Sequence, residues 1–159
     1  MRGELHPFVL HFAVGLLLTA PICDVLGLVL RREPLLHAGR WMTIAGTITA
    51  VLSLATGFGA EAGLGAHSAA GESLLNLHRA VGVATTLVWL PVAVWRASSK
   101  VALPLRARTI YLAASFSGAL ILTVATVLGG AMVYRHGVGL SPAARAEPMA
   151  PSVSRGPAR

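Results

Sequence analysis

The sequence predicts an all-α integral membrane protein, a four-helix bundle with both termini on the outer, periplasmic side. Three observations support this fold class: the chain contains four long apolar stretches, it carries few charges, and its basic residues gather in two of the connections. Of the 159 residues, 55% are hydrophobic and only 12% are charged, about half the charged fraction that is usual in soluble domains. Lipid is therefore the expected solvent for most of the chain.

The four apolar stretches are each close to the roughly 17–25 residues that cross a bilayer as a helix. Helices are expected because backbone polar groups in lipid must pair within their own segment. The first stretch spans a full bilayer and lacks a small-residue cleavage site, so we expect a retained helix rather than a signal peptide. The stretches comprise residues 8–30, 41–57, 77–95 and 109–133.

The basic residues predict the orientation of the bundle. They lie mostly between the first and second stretches and between the third and fourth, and the positive-inside rule places both connections in the cytoplasm. This distribution indicates that the net charge of +7 serves contact with a membrane surface rather than binding of nucleic acid. Aromatic residues are expected at the two interfaces, Trp41, Trp95 and Tyr111 at the inner one and Tyr134 at the outer one. The basic residues of the two connections are Arg31, Arg32, Arg40, Arg96, Lys100, Arg106 and Arg108.

The remaining segments lie outside the apolar stretches. Residues 58–73, rich in glycine and alanine, are expected to form one long outer loop. Residues 1–140 are predicted to form the transmembrane domain, and residues 141–159 an extramembrane tail rich in proline, alanine and arginine, which is disordered or docked on a partner. No internal repeat is evident, and the single cysteine, Cys23, excludes a disulfide framework.

Histidines mark the predicted outer side. Five of the six fall there under this topology, and only His37 lies among the arginines. Ionisable groups at membrane depth indicate a functional site by default, although interfacial histidines can also simply bond water or helix ends. The five outer histidines are His6, His11, His67, His78 and His136.

Neutral imidazole is a common axial ligand of haem iron, and four-helix bundles place such ligands on facing helices. We expect His11 and His78 to be an axial pair. His6 and His136 form a second pair, or bond a haem propionate or a quinone. The sequence contains no C-x-x-C-H attachment motif, so the haem would be of the b type. Pro7 suits a first helical turn, which predicts that His6 is a flexible residue at or before the helix cap.

Other residues beside these histidines fit the same site. Arg79 and Arg135 are placed to pair with haem propionates, because the guanidinium fork matches a carboxylate. Gly129 and Gly130 either allow close helix packing, the simpler interpretation, or accommodate a flat cofactor. Met132 is a weak candidate for a copper ligand, since thioether and imidazole suit Cu(I).

Asp24 is the remaining charge within an apolar stretch. It lies toward the predicted cytoplasmic end of the first helix, seven residues before Arg31, and so shares a face with that arginine. Arg40 is the other available partner. We expect a structural ion pair rather than a proton relay.

Two motifs resemble a known family. The chain resembles the bacterial membrane family called domain of unknown function 2231 in its opening "HPFVLHF" and its closing "GGAMVYRHGVG". It also resembles that family in Asp24, in the Arg40-Trp41 pair at the start of the second helix and in His78 at the start of the third. The resemblance covers residues from about 5 to 140. It implies a four-helix membrane protein, and the fusion of some relatives to Rieske-type iron–sulfur domains implies redox work.

The leading functional hypothesis is a b-type haem-binding subunit that transfers electrons between a periplasmic-side redox partner and the quinone pool. The first alternative is a non-catalytic accessory subunit of a larger membrane complex, and the second is a protein that binds copper or another metal. The sequence shows no hydrolytic triad, phosphate loop or paired acid–base carboxylates, so no catalytic residues are predicted. An electron-transfer or accessory role is therefore favoured over a stand-alone enzyme.

Overall fold

The computed structural model describes residues 2–65 and 67–140, with side chains from Leu5 onward, and forms four α-helices. All four are long and apolar enough to cross a membrane, which confirms the all-α class and the four spans. The side of the membrane on which the termini lie stays a prediction, and the predicted tail, 141–159, lies outside the described residues. The helices are α1 Arg2–Val29, α2 Glu33–Glu61, α3 Ala69–Ser98 and α4 Leu105–His136.

The helices extend beyond the apolar stretches at almost every end. α2 begins at Glu33 with a proline in its first turn, where the missing N–H costs nothing. α3 begins after Ser68, whose hydroxyl accepts from the backbone N–H of Gly71 at 3.1 Å and so caps the helix. α2 and α3 both extend into the expected outer loop and leave only residues 62–68 between them, because the alanines of this segment are strong helix formers. The predictions that Arg40-Trp41 stands at the start of the second helix and His78 at the start of the third are likewise wrong, because α2 begins at Glu33 and α3 at Ala69.

Buried and half-buried residues recur along each helix at alternating intervals of three and four, the heptad spacing of left-handed bundles. We call these positions the seam. In α1 they are His6, Leu10, Ala13, Leu17, Ala20, Asp24 and Gly27; in α2 Leu36, Gly39, Thr43, Gly46, Ala50, Ser53 and Gly57. In α3 they are Gly71, Leu75, His78, Gly82, Thr85, Trp89, Val92 and Arg96; in α4 Tyr111, Ser115, Gly118, Leu122, Ala125, Gly129, Met132 and His136.

The helices pack as two hairpins, the first formed by α1 and α2 and the second by α3 and α4. Glycines of the seam bring the two helices of each hairpin together. A Cβ added at Gly46 would lie 2.7 Å from the Leu17 side chain, and one at Gly118 would lie 2.8 Å from the Trp89 indole nitrogen. Close approach of this kind is how helices associate in lipid, where apolar burial gives no advantage.

The two hairpins repeat the same contacts, which corrects the expectation that no internal repeat exists. Trp89 and Gly118 lie 72 residues after Leu17 and Gly46, and the same shift of 72 carries His6 onto His78. The repeat escapes sequence comparison because the equivalent seam positions share a residue type in only three cases. These are His6 with His78, Gly46 with Gly118, and Gly57 with Gly129.

Candidate functional site

One end of the bundle, which we call the histidine end, is formed by the first turns of α1 and α3 and the last turns of α2 and α4. The seam brings His6 and His78 together there, although the two residues belong to different hairpins. Their ring centroids are 6.4 Å apart and the ring planes are inclined at 82°. Both imidazoles are half-buried, so the two predicted ligands face each other inside the bundle rather than on its surface.

Each imidazole of the pair is anchored by a backbone carbonyl of its own hairpin. His6 Nδ1 lies 2.8 Å from the carbonyl oxygen of Ser53, and His78 Nδ1 lies 2.9 Å from that of Ala125. Because a carbonyl can only accept, each Nδ1 carries a proton, and in the neutral ring Nε2 is then the nitrogen with the lone pair. Histidines that bind metals usually donate their second ring nitrogen in this way. The pair therefore presents two Nε2 ligands of fixed tautomer.

A glycine lies behind each ring, four residues after the carbonyl that anchors it. An added Cβ would lie 3.1 Å from His6 Cε1 at Gly57 and 3.1 Å from His78 Cε1 at Gly129. Any larger residue would push the ring away from its carbonyl. Gly129 was expected either to accommodate a flat cofactor or to allow helix packing, and in the structure it contacts the imidazole of His78. A Cβ added at Gly130 would meet nothing within 4 Å.

The helix bounds alter the expectation for His6. α1 begins at Arg2 and continues through Pro7, so the prediction of a flexible cap residue is wrong. His11 instead lies on the exposed side of α1, where its Nδ1 bonds the carbonyl oxygen of Pro7. The pairing of His11 with His78 stays a prediction, and the ring that the structure brings to His78 is that of His6.

The other predicted residues of this end occupy different surroundings. His136 is the last residue of α4, before Gly137 ends the helix at φ 60°, and its Cβ packs beside Gly71. Met132 packs in an apolar cluster with Leu75 and Val138. Within the described ranges, no group of three or more histidine, cysteine, aspartate or glutamate side chains is arranged to hold a metal ion.

The two arginines expected to bind propionates lie at the rim. Arg79 donates to Glu61 Oε1 at 2.7 Å and to the side-chain oxygen of Asn76, so any propionate would compete with Glu61 for it. Arg135 is exposed in the last turn of α4. His67 lies in the connection between α2 and α3 and bonds Glu72 at 2.6 Å. The propionate roles of both arginines stay predictions.

A second polar cluster lies at the opposite end of the bundle, which we call the arginine end. Asp24 is only 2% exposed there. Its Oδ2 accepts from the Tyr111 hydroxyl at 2.7 Å, and its Oδ1 lies 3.6 Å from Arg96 Nη2. The expected ion pair therefore exists, but its partner is Arg96 rather than Arg31 or Arg40.

Arg96 and Tyr111 were both expected at the inner membrane surface, and both are 2% exposed. The guanidinium of Arg96 donates to three backbone carbonyl oxygens, those of Leu36, Lys100 and Val101, and lies 5.4 Å from the centre of the Tyr111 ring. Both residues lie on the seam: Arg96 is 18 residues after His78, and Tyr111 is 14 residues before Ala125. This spacing is the sequence signal that would have identified them as buried. Arg40 donates instead to the carbonyl oxygens of Ser99 and Ala97.

Comparison with known proteins gives one result. A family model described as a predicted membrane protein (DUF2231) matches residues 3–142, nearly the whole described chain. No curated protein and no solved structure matches the sequence.

Proposed function

The chain belongs to the DUF2231 family of predicted membrane proteins, and we propose that it is a b-type haem-binding subunit with His6 and His78 as axial ligands. Electrons would pass between a redox partner at the histidine end, on the periplasmic side of a bacterial inner membrane, and the quinone pool. The observation that carries this proposal is the pair of carbonyl-anchored imidazoles from equivalent positions of the two hairpins.

The separation of the two rings supports one shared metal. Metal–imidazole bonds are about 2.0–2.1 Å, so two imidazoles on opposite sides of one ion have ring centres roughly 6 Å apart. The observed separation is 6.4 Å. Each Nδ1–carbonyl bond also makes Nε2 a better ligand and fixes the ring orientation.

The number of protein ligands supports haem over a bare ion. A porphyrin supplies four in-plane nitrogens of its own and needs only one or two axial ligands from the protein, whereas a bare transition ion usually takes three or four. Helix bundles supply such axial ligands from facing helices. Bound haem would supply one-electron chemistry. The residues of this chain would hold its iron between α1 and α3 and shield one side of it from water.

Reduced-minus-oxidised visible spectra of detergent-purified protein, expressed with added haem, test the proposal. We expect a Soret and an α band, lost in His6→Ala and in His78→Ala. His11→Ala is the matched control, because His11 lies on the same helix as His6 but on its exposed side, and His37→Ala is the control at the arginine end. Absence of both bands in the wild type, with normal helical content, refutes the proposal. Loss in His11→Ala but not in His6→Ala assigns the ligand to His11.

Two alternatives use the same residues. Copper bound as Cu(I) is favoured by the two free Nε2 atoms, since Cu(I) accepts imidazole at low coordination number. An accessory subunit with structural histidines is favoured by the Nδ1 bonds, which join α1 to α2 and α3 to α4 without any metal. Metal analysis of haem-free protein separates them: copper at one equivalent, lost in His78→Ala, supports the first, and no metal supports the second.

A further inference from the structure

A continuous chain of hydrogen-bonding side chains crosses the interior at the arginine end. It runs from Asp24 on α1 to Tyr111 on α4 and on to Thr43 on α2. The Tyr111 hydroxyl lies 2.7 Å from Asp24 Oδ2 and 3.1 Å from Thr43 Oγ1, and Thr43 Oγ1 lies 2.9 Å from the carbonyl oxygen of Gly39. Thr43 is fully buried, and the other two side chains are nearly so.

This chain can satisfy every member with Asp24 either ionised or neutral. When Asp24 is ionised, Tyr111 donates to the carboxylate and Thr43 donates to Tyr111 or to Gly39. When Asp24 is protonated, the carboxyl group donates to Tyr111, Tyr111 donates to Thr43, and Thr43 donates to the carbonyl of Gly39. Apart from the added proton, the two states differ only by rotation of O–H bonds. Neither leaves a donor of Asp24, Tyr111 or Thr43 unpaired, and an unpaired donor is the usual penalty for changing a buried group.

The hydrogen bonds of Arg96 do not depend on the ionisation of Asp24. Arg96 Nη2 is 3.6 Å from Asp24 Oδ1, too far for a hydrogen bond. Its Nη1 and Nη2 donate instead to carbonyl oxygens of the backbone, and its buried Nε has no hydrogen-bond partner among the described residues. Arg108, from α4, is the other cation that borders the same space as Asp24.

A cavity beside the carboxylate has room for water. It measures about 60 Å³ and is bordered by Asp24, Arg96, Arg108 and Tyr111. A single water needs about 10–15 Å³ of such volume and two to four polar partners. The polar groups of this lining meet that requirement, so a water held there could exchange a proton with Asp24.

We propose that Asp24 is a reversible proton-binding site within the membrane-spanning bundle. A hydronium ion in the cavity transfers its proton to the carboxylate, leaving water and a neutral carboxyl group, and the reverse step returns the proton to the same side. Tyr111 and Thr43 reverse the direction of their hydrogen bonds with each transfer. This inference does not rest on haem, and it goes beyond the purely structural ion pair that the sequence predicts.

Infrared difference spectroscopy of haem-free protein in lipid vesicles, titrated between about pH 4 and pH 9 to cover ordinary carboxyl and imidazole titrations, tests the proposal. We expect a protonated-carboxyl stretching band that grows on acidification and is absent in Asp24→Asn. Glu33→Gln, which removes an exposed carboxylate, is the control and keeps the band. If subtracting the spectra of Asp24→Asn from those of the wild type leaves no titrating carboxyl band, Asp24 does not bind a proton reversibly in this pH range and the proposal is refuted.

Two further variants keep Asp24 and so remain informative if Asp24→Asn does not fold. Tyr111→Phe removes the donor to the ionised carboxylate, so the midpoint of the band moves to higher pH. Thr43→Val removes the acceptor that Tyr111 needs only when Asp24 is protonated, so the midpoint moves to lower pH. Each shift is about one pH unit, a tenfold change in proton affinity, for one hydrogen bond. Shifts of the same sign in both variants contradict the chain.

Discussion

Replacing Gly39 by alanine is expected to destabilise the bundle through Asp24. A Cβ at position 39 would lie 2.6 Å from the Asp24 carboxyl carbon, whereas ordinary contacts begin at 3.4 Å. The carboxylate must therefore move by about 0.8 Å, the difference between these two distances. A movement of that size breaks its 2.7 Å bond with Tyr111.

The magnitude follows from two opposing effects. Losing a buried hydrogen bond to a charged group costs about 1.5–3 kcal/mol, and exchanging glycine for alanine inside a helix returns about 0.5–1 kcal/mol. The net loss is about 0.5–2.5 kcal/mol. At about 2–4 °C per kcal/mol for a chain of this size, the midpoint of thermal unfolding falls by roughly 1–10 °C.

Gly59→Ala is the matched control, because Gly59 lies in the same helix and an added Cβ there meets nothing within 4 Å. Its midpoint is expected to equal or exceed that of the wild type. Near-ultraviolet circular dichroism during heating in detergent measures the midpoints of both variants, since it reports packing around the buried Trp89 rather than helix content. A Gly39→Ala variant that melts at or above the wild-type midpoint refutes the steric reasoning.

Three further variants test other contacts by the same measurement. Arg96→Gln is expected to lower the midpoint by more than the exposed-residue control Arg106→Gln, because it leaves three backbone carbonyl oxygens, one of them in a buried hydrogen bond, without their donor; equal midpoints would contradict the buried role. Glu61→Gln should lower the midpoint by no more than about 4 °C, since exposed ion pairs contribute about 0.2–1 kcal/mol, and a larger loss would show that the Glu61–Arg79 pair, which links α2 to α3, contributes more than an exposed pair. Gly137→Ala should cost about 1–2 kcal/mol because its φ of 60° is unfavourable for any residue with a Cβ, and an unchanged midpoint would count against that cap.

The fold could be predicted from the sequence because the length of each apolar stretch matches the thickness of the bilayer core that a helix must cross. The clustering of histidines at one end followed from the same topology. The helix ends were placed too far inward because Glu33 and the alanines near residue 69 lie past the apolar stretch, yet α-helix continues through them. Apolarity marks where lipid begins, not where a helix stops.

The choice among the histidines could not be predicted, because both sides of a membrane helix are apolar and no amphipathic pattern marks the interior. His6 and His11 therefore looked equivalent, and Pro7 led to the wrong prediction that His6 is a flexible residue at the helix cap. The glycines and threonines of the seam do carry the information. Gly39, Thr43 and Gly46 recur at heptad spacing, and extending that spacing to the other helices places His6, Arg96 and Tyr111 inside.

The 72-residue repeat has a consequence for how the charged cluster could arise. A dimer of two identical hairpins could place two histidines together, as His6 and His78 are placed. It would also set two aspartates, or two arginines, face to face at the other end. Asp24 and Arg96 occupy equivalent positions yet carry opposite charges. Joining two hairpins in one polypeptide permits that asymmetry, so a symmetric pair of ligands and an asymmetric pair of charges coexist in one bundle.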